Sequence, residues 1–265
     1  MPNLTLGLVG LGNISTFLAK GIIEHQLPYN LTFINDIDEA KVAAFKAGFP
    51  GLQLESVDLD TLAARSKVIV EAAQMTVVPA LAEKALLAAQ QVEATKYLFI
   101  MSVGGLLKLD KAFQEELAGS YLKIIAPSGA IGGLDALASM NLAGMRSVRL
   151  TTRKPPQALG RDDKSAVVLY EGLPAPAFEQ YPKNVNVAIT LALATVGLDK
   201  LAFRLISDPE VTQNIHTIEA EGDAGTIRME LSNTPSPHNP RTSYLAALSI
   251  ISALKRFSQN LLVGY

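Results

Sequence analysis

Cysteine is missing altogether from this chain of 265 residues, which excludes disulfide bonds and thiolate chemistry. Histidine is nearly as scarce: His25, His216 and His238 stand far apart and make no metal site by spacing. Charge is sparse too. Charged residues make up 18% of the chain with a formal net charge of −2, and no Lys/Arg cluster supplies the footprint of a nucleic-acid binder. No apolar run approaches the roughly 18 residues of a membrane span. The apolar N-terminus is too short for a signal peptide, lacks a basic leader and ends in a glycine turn. Internal repeats and low-complexity segments are also absent. What is present is a hydrophobic content of 49%, which gives a chain of this length a large core and an expectation of two domains. These bounds describe a cytoplasmic enzyme working on a small molecule, with neither nucleic acid nor membrane as partner.

The stretch Leu4 to Lys20 organises the rest. An apolar run over Leu4 to Val9 meets Gly10-Leu11-Gly12, and a helical pattern with Ile14, Phe17 and Leu18 follows. Strand, tight glycine turn and helix make the phosphate-binding corner of a dinucleotide fold. Gly10 permits the turn, and Gly12 lets backbone N–H groups approach a pyrophosphate. The helix start at Asn13 and Ile14 adds unpaired donors and the positive end of a dipole. Ser15 occupies the third position of G-x-G-x-x-G/A, a departure that a small residue can accommodate. An ordinary βα turn would show the same glycines.

Leu31–Asn35 is the second expected strand, ending at Asp36, where such folds bind the adenosine ribose hydroxyls and repel the extra phosphate of NADP. Asp36 or Asp38 can also cap the helix Glu39–Ala47. Lys67–Glu71 is a further buried strand. Ala72 and Ala73 follow as small residues where a cofactor would lie close to the backbone, ahead of a helix Val78 to Gln90. Tyr97–Ser102 and Tyr121–Ala126 continue the alternation, which predicts an α/β, Rossmann-type doubly wound parallel sheet with its ligand rim at the strands' carboxyl ends.

The character changes near Ala143. A strand over Ser147–Thr152 is broken by Arg153-Lys154-Pro155-Pro156, and Gln157 to Lys164 reads as an exposed loop. Asn184 to Val196 is a strongly apolar helix. Strands are expected over Leu201–Ile206, His216–Glu221 and Thr226–Ser232, the last two joined as a hairpin across Gly222-Asp223-Ala224-Gly225. Pro235 to Pro240 is a stiff connector, and Thr242 or Ser243 caps a last helix reaching about Leu261. The pattern predicts a dinucleotide-binding domain over 1–142, completed by a C-terminal helix within 241–265. The second domain, 143–240, is α+β with an open mixed or antiparallel sheet. Such a sheet needs cover, which a homodimer partner bound through residues after Ala143 would provide.

Several segments, in order, resemble the L-aspartate dehydrogenase family. They are Ser128-Gly129-Ala130-Ile131-Gly132-Gly133-Leu134-Asp135, Thr151-Thr152-Arg153-Lys154-Pro155-Pro156 and Tyr181-Pro182-Lys183-Asn184-Val185-Asn186-Val187-Ala188. Asp208-Pro209-Glu210, His216-Thr217-Ile218-Glu219, Gly222-Asp223-Ala224-Gly225 and Asn239-Pro240-Arg241-Thr242-Ser243-Tyr244 follow. The resemblance implies an NAD(P)-linked dehydrogenase acting on L-aspartate, with oxaloacetate and ammonia on the other side of the reaction, that supplies iminoaspartate for NAD biosynthesis. NAD is the expected cofactor, with NADP as the other option and no metal. His216 is similar to the family's active-site histidine, and Ala130 and Asn186 to positions at the nicotinamide end of the cofactor.

Oxidation at an amino acid's Cα needs a hydride acceptor, a base for the ammonium proton and cations for the carboxylates. His216 suits the base, since imidazole takes and returns protons near neutral pH; its bland alternative is a strand-edge histidine satisfied by a backbone carbonyl. Asp135 or Asp223 could orient it. For the carboxylates the candidates are Arg153, Lys154, Lys183, His238 and Arg241, among which the sequence does not choose. The start of the last helix is a further carboxylate candidate. Two other functions fit the same architecture: a two-domain reductase of the homoserine dehydrogenase or dihydrodipicolinate reductase type, and a dinucleotide-binding redox sensor without chemistry.

Overall fold

The computed structural model describes residues 3–237 and 239–263, without the side chains of 239–241. Two carboxylate candidates, His238 and the Arg241 side chain, therefore lie outside the described residues. The chain divides into two compact units, 1–127 with 250–260 and 128–249 with the residues after 260.

The first unit alternates strand and helix: β1 (Leu4–Val9), α1 (Asn13–Glu24), β2 (Tyr29–Asn35), α2 (Glu39–Gly48), β3 (Glu55–Ser56), α3 (Leu59–Arg65), β4 (Val68–Glu71), α4 (Val78–Gln91), β5 (Lys96–Ile100), α5 (Lys111–Ala118) and β6 (Leu122–Ile125). All six strands run parallel in the order β3-β2-β1-β4-β5-β6. That is the doubly wound order expected of an alternating pattern. The central strands are buried on both faces, as Val68, Ile69 and Val70 show with no exposed surface. One face packs Leu6, Leu8 and Val70 against Leu18, Ile22 and Phe45. The other packs Ile69, Leu98 and Ile100 against Leu62, Leu81 and Ala85. Aspartate N-caps start three of the helices: Asp38 accepts from Ala40 N–H, Asp58 from Thr61 N–H and Asp110 from Phe113 N–H.

The second unit holds α6 (Leu134–Gly144), β7 (Met145–Lys154), β8 (Val167–Gly172), α7 (Pro174–Gln180), α8 (Asn186–Ala194), β9 (Ala202–Ser207), β10 (Asn214–Gly222), β11 (Gly225–Asn233), β12 (Pro235–Ser236) and β13 (Asn239–Ser243). Its main sheet runs β11-β10-β7-β9-β8 and is mixed, with β7 and β9 parallel and the other pairs antiparallel. The hairpin turns at Asp223-Ala224 between the paired Gly222 and Gly225. The unit begins ahead of the change in sequence character near Ala143 because α6 packs on β10, β7 and α8.

Several segments differ from the sequence expectations: β8 and α7 are elements that the sequence pattern does not announce, and the last helix stops at Phe257 rather than near Leu261. The strand expected to stop at Thr152 runs on through Arg153 and Lys154, and proline breaks it only at Pro155. The expected connector over 235–240 is instead a small antiparallel ladder, with Pro235 opposite Ser243 and Ser236 opposite Asn239. A proline that lacks an N–H donor is tolerated at such an edge. Thr242 and Ser243 thus lie in β13, and the last helix, α9 (Tyr244–Phe257), opens after them. The division between the units falls within α9. Its second half belongs to the first unit's core through Ile250, Ile251 and Leu254, and Tyr29 Oη donates to the Leu254 carbonyl at 2.8 Å. A Cβ on Gly21 of α1 would stand 2.5 Å from Ile251 Cδ1, so any larger residue there would force the Ile251 side chain to shift.

Candidate active site

In the first unit the expected cofactor residues collect at the carboxyl ends of β1, β2 and β4. Gly10 has φ +83°, and a Cβ on it would meet the Ala73 backbone at about 2.5 Å, so only glycine fits between these strand ends. Gly12 is the N-cap of α1 and is exposed, with nothing within 4 Å of where its Cβ would stand. Asn13 and Ile14 form the first turn, which contains no acidic residue to offset the helix's positive end. Ser15, the departure from the glycine pattern, is fully buried and its hydroxyl donates to the Gly10 carbonyl. The serine fits because it closes the turn it might have disturbed.

Asp36 links two of these elements. Its Oδ2 accepts Leu11 N–H at 2.7 Å and its Oδ1 accepts Asp38 N–H at 3.0 Å, while Asp38 caps α2. Of the two candidates for the cap, Asp38 therefore takes it. A carboxylate has about four acceptor positions, so Asp36 keeps acceptor capacity after these bonds. Ala72 N–H donates to the Val9 carbonyl, and Ala73 N–H to Glu71 Oε1 at 2.7 Å.

Glu71 is a residue the sequence reading passed over. It is fully buried at the end of β4, and its second oxygen accepts Ser102 N–H at 2.9 Å. Burial pushes its carboxyl up, and the Ser102 and Ala73 amides oppose that shift. Ser102 Oγ closes the arrangement by donating to the Ala73 carbonyl at 3.1 Å. One carboxylate thus fixes the chain after β4 to the chain after β5. An acidic residue ending an otherwise apolar strand was the available signal.

In the second unit, alternation along three strands sends one set of side chains to a covered face. Buried there are Val148, Leu150, Thr152 and Lys154 of β7, Asn214, His216, Ile218 and Ala220 of β10, and Phe203, Leu205 and Ser207 of β9. Register places His216 opposite Thr152, Lys154 opposite Ser207, and Asn214 opposite Asn233 of β11. The hairpin end of this face is apolar. Its other end gathers Thr152, Lys154, Ser207, Asn214, His216 and Asn233.

Hydrogen bonds hold His216 at that polar end and link Ala130 and Asn184 to it. His216 is 3% exposed, and its Nδ1 lies 2.9 Å from Thr152 Oγ1. Asn233 Nδ2 donates to the Ala130 carbonyl at 3.0 Å. Lys154 Nζ donates to Asn184 Oδ1 at 2.8 Å, which ties the end of β7 to the segment that opens α8 at Asn186. Thr152 and Asn233 are positioning residues that no spacing in the sequence announces. Thr152 takes the place foreseen for an aspartate. Asp135 is exposed in the first turn of α6, and Asp223 accepts from Arg146 at the hairpin end of β10.

Burial, and after it the Lys154 charge, pushes the His216 imidazole down to about 3. Burial pushes the Lys154 ammonium down to about 8. At pH 7 the ring is therefore neutral and the lysine cationic. Arg153, on the opposite face, donates through Nε and Nη2 to Asp208, whose carboxyl is held low first by Glu210 N–H and further by that arginine. Lys183 is exposed. Among the described residues no group of histidine, aspartate or glutamate side chains could hold a metal ion, and no helix is long and apolar enough to cross a membrane.

Residues 135–257 match the family model described as aspartate dehydrogenase, C-terminal, and residues 5–96 one described as NADP oxidoreductase, coenzyme F420-dependent. An L-aspartate dehydrogenase of Methanopyrus kandleri is 36% identical, with 100% of both chains covered. Another, from Methanosarcina barkeri, is 33% identical across 98% of this chain and 99% of its own. The crystal structure of aspartate dehydrogenase from Thermotoga maritima matches with a TM-score of 0.77 at 26% identity, covering 98% of this chain and 99% of that one. A scyllo-inositol dehydrogenase of Lactobacillus casei, solved with NAD(H) and scyllo-inositol, matches at a TM-score of 0.54 and 14% identity. It covers 96% of this chain and 88% of its own, a likeness of fold.

The buried ring has a consequence for stability. As pH falls through the ordinary value of 6.5, the unfolded chain takes up a proton that folded His216 refuses until about 3. The stability linked to the neutral ring is therefore full above 6.5 and lost as pH falls toward 3. Wild type should lose stability relative to His216→Gln across that window, by on the order of 4 kcal/mol. Urea midpoints of both proteins between pH 7 and pH 4 measure it; parallel curves would show a ring that titrates normally.

Proposed function

The chain belongs to the L-aspartate dehydrogenase family, and from that premise we infer that it oxidises L-aspartate at Cα, with NAD as hydride acceptor. The product is iminoaspartate, which water carries on to oxaloacetate and ammonia; the reverse direction is reductive amination. Iminoaspartate would serve NAD biosynthesis. The observation that carries this reading is the buried imidazole of His216, held by Thr152 Oγ1 at the polar end of a covered sheet face.

Bound nicotinamide supplies the acceptor for the hydride from Cα. The chain's own residues do the rest. The open space at Gly12 and the donors of the first turn of α1, at Asn13 and Ile14, suit a pyrophosphate. Gly10, packed on Ala73, brings the glycine turn against the chain at Ala72 and Ala73, and Asp36 offers its remaining acceptor positions to the ribose hydroxyls. Ala130 and Asn186 are assigned to the nicotinamide end. His216, neutral at pH 7, takes the proton that the substrate ammonium gives up, and in amination returns one to the departing hydroxyl. A ring held down to about 3 is free to accept a proton but is a weak base, so the transfer needs its pKa raised, as an anionic substrate that offsets the Lys154 charge would do. Residues so placed for proton transfer support a dehydrogenase over a sensor that only binds the cofactor.

One observation favours the alternative cofactor. Lys41 Nζ lies 3.9 Å from Asp36 and is half-exposed, where a cation could meet the extra phosphate of NADP. With Asp36 dominant, NAD binds more tightly and Asp36→Ala narrows the difference. Titration of both nucleotides tests this, and a wild type that prefers NADP would show Asp36 to be misassigned.

The homodimer is also part of this reading, with its support relocated. The apolar helix α8 buries Ala188, Ile189, Leu191 and Ala192 within its own unit and needs no partner for them. The opposite face of the main sheet carries half-buried Thr151, Ile206 and Thr217 among charged residues, and this is the surface proposed to pair. Light scattering at micromolar concentration should give twice the 28.2 kDa chain mass, and a monomer mass would contradict the pairing.

The base assignment has the sharpest test. His216→Ala should lower turnover of L-aspartate by about 10²–10⁴, while NAD affinity, which rests on residues of the first unit, changes little. Steady-state rates, nucleotide titration and thermal melting of the two proteins decide it. A normally folded variant that retains more than about a tenth of wild-type turnover, well short of an acid–base contribution, would remove His216 from the chemistry.

A further inference from the structure

We propose that Lys154 is the group that holds a carboxylate of the substrate beside His216, an inference that rests on the amino-acid dehydrogenase reading above. Five cations compete for that role in the sequence, and the structure separates those it describes. Arg153 lies on the other face and is already neutralised by Asp208. Lys183 is exposed. Lys154 is buried on the same face as His216 and follows Thr152, the ring's partner, at the period of two that keeps side chains on one side of a strand.

Its hydrogen-bonded partner brings no counter-charge, and Asp163, the carboxylate beside Ser207, is already engaged by Arg161. Among the described residues its hydrogen-bond partner is the neutral amide oxygen of Asn184, and no carboxylate pairs with it. A buried ammonium without an anion is costly to keep. An ammonium also has three donors, and Asn184 takes one of them. The two that remain match the two oxygens of a carboxylate. The neighbours Thr152, Ser207, Asn214 and His216 are all uncharged at pH 7, so an arriving anion meets no competing carboxylate among them. Seated on Lys154, a carboxylate would hold an amino acid within reach of the imidazole. It would also offset the lysine charge that, after burial, keeps the ring from accepting a proton. The ligand class is therefore an α-amino acid or its imine bound as a carboxylate anion, together with inert dicarboxylates of similar length.

The experiment uses succinate, which has two carboxylates and no amine and so cannot react. Full-length wild type, Lys154→Met, Lys154→Gln and Lys154→Arg are compared in three ways: thermal melting with and without succinate, calorimetric succinate affinity in the presence of NAD, and kinetics with L-aspartate. Charge-assisted hydrogen bonds of this kind correspond to about a 10- to 100-fold change in affinity. Lys154→Gln should weaken succinate binding and raise KM by that factor, with kcat changed much less and NAD affinity retained. Lys154→Arg should recover part of the loss. Lys154→Met should melt no lower than wild type without ligand, because it removes an uncompensated buried charge, and should lose the upward shift that succinate gives wild type.

A Lys154→Gln protein with unchanged KM and succinate affinity would overturn the proposal. If its kcat had also collapsed, the lysine would be the base instead. A Lys154→Met protein that melts well below wild type yet still responds to succinate would assign Lys154 to structure alone. Wild type that binds succinate through Lys154 but reduces no NAD with L-aspartate would leave the anion site standing and refute the dehydrogenase reading.

Discussion

The hydrogen bond between Thr152 and His216 holds an imidazole where water scarcely reaches it, and most of what the second unit does depends on that placement. In such a position the charged ring is disfavoured by burial and again by the ammonium of Lys154. The result is a pair of titratable groups driven to opposite states at neutral pH, a ring without a proton and a lysine with one. Groups whose environments separate them in this way are suited to the proposed roles, His216 as proton acceptor and Lys154 as anion holder. The sheet supplies the separation cheaply, since alternation in β7 and β10 is enough to put both side chains on one face.

In the proposed function the two units divide the work by chemistry. The first would meet a dinucleotide with backbone: a glycine turn, a helix start and strand ends whose approach leaves no room for a side chain at Gly10. Its charged contributions are few and fixed, Asp36 to the turn and Glu71 to the chains after β4 and β5. The second presents side chains, drawn from β7, β10, β11 and the segment before α8. Backbone donors suit a phosphate that every dinucleotide shares, whereas side chains suit a substrate that must be told from others.

Local features of this architecture are legible in the sequence, and long-range ones are not. The glycine turn, the runs of β-branched residues and the hairpin between Gly222 and Gly225 are short patterns with one geometric solution. Helix α3 is too brief for a periodic signal, although Asp58 marks its start, while α5 shows only Phe113 and Leu117 four residues apart behind the cap Asp110. Positioning residues are harder still. Thr152 and His216 are 64 positions apart, and Ala130 and Asn233 are 103 apart, so only the folded register pairs them. The choice of Lys154 over Arg153 turned on a boundary of two residues. With β7 ending at Thr152 neither had a face; with the strand continued to Lys154, alternation sends them to opposite sides. The third-position Ser15 shows the converse, a departure from pattern that the folded turn absorbs through one hydroxyl.

The central claim is a neutral His216 at working pH, and the imidazole nitrogens report it directly. Protein labelled with ¹⁵N in histidine, assigned by comparison with His216→Gln, can be followed by NMR from pH 8 downward. The account predicts the shifts of one neutral tautomer for His216 at pH 7 and no change through the ordinary histidine range, with protonation only in strong acid near about 3. A ring that is cationic at pH 7, or that titrates close to 6.5 in the folded chain, would contradict it.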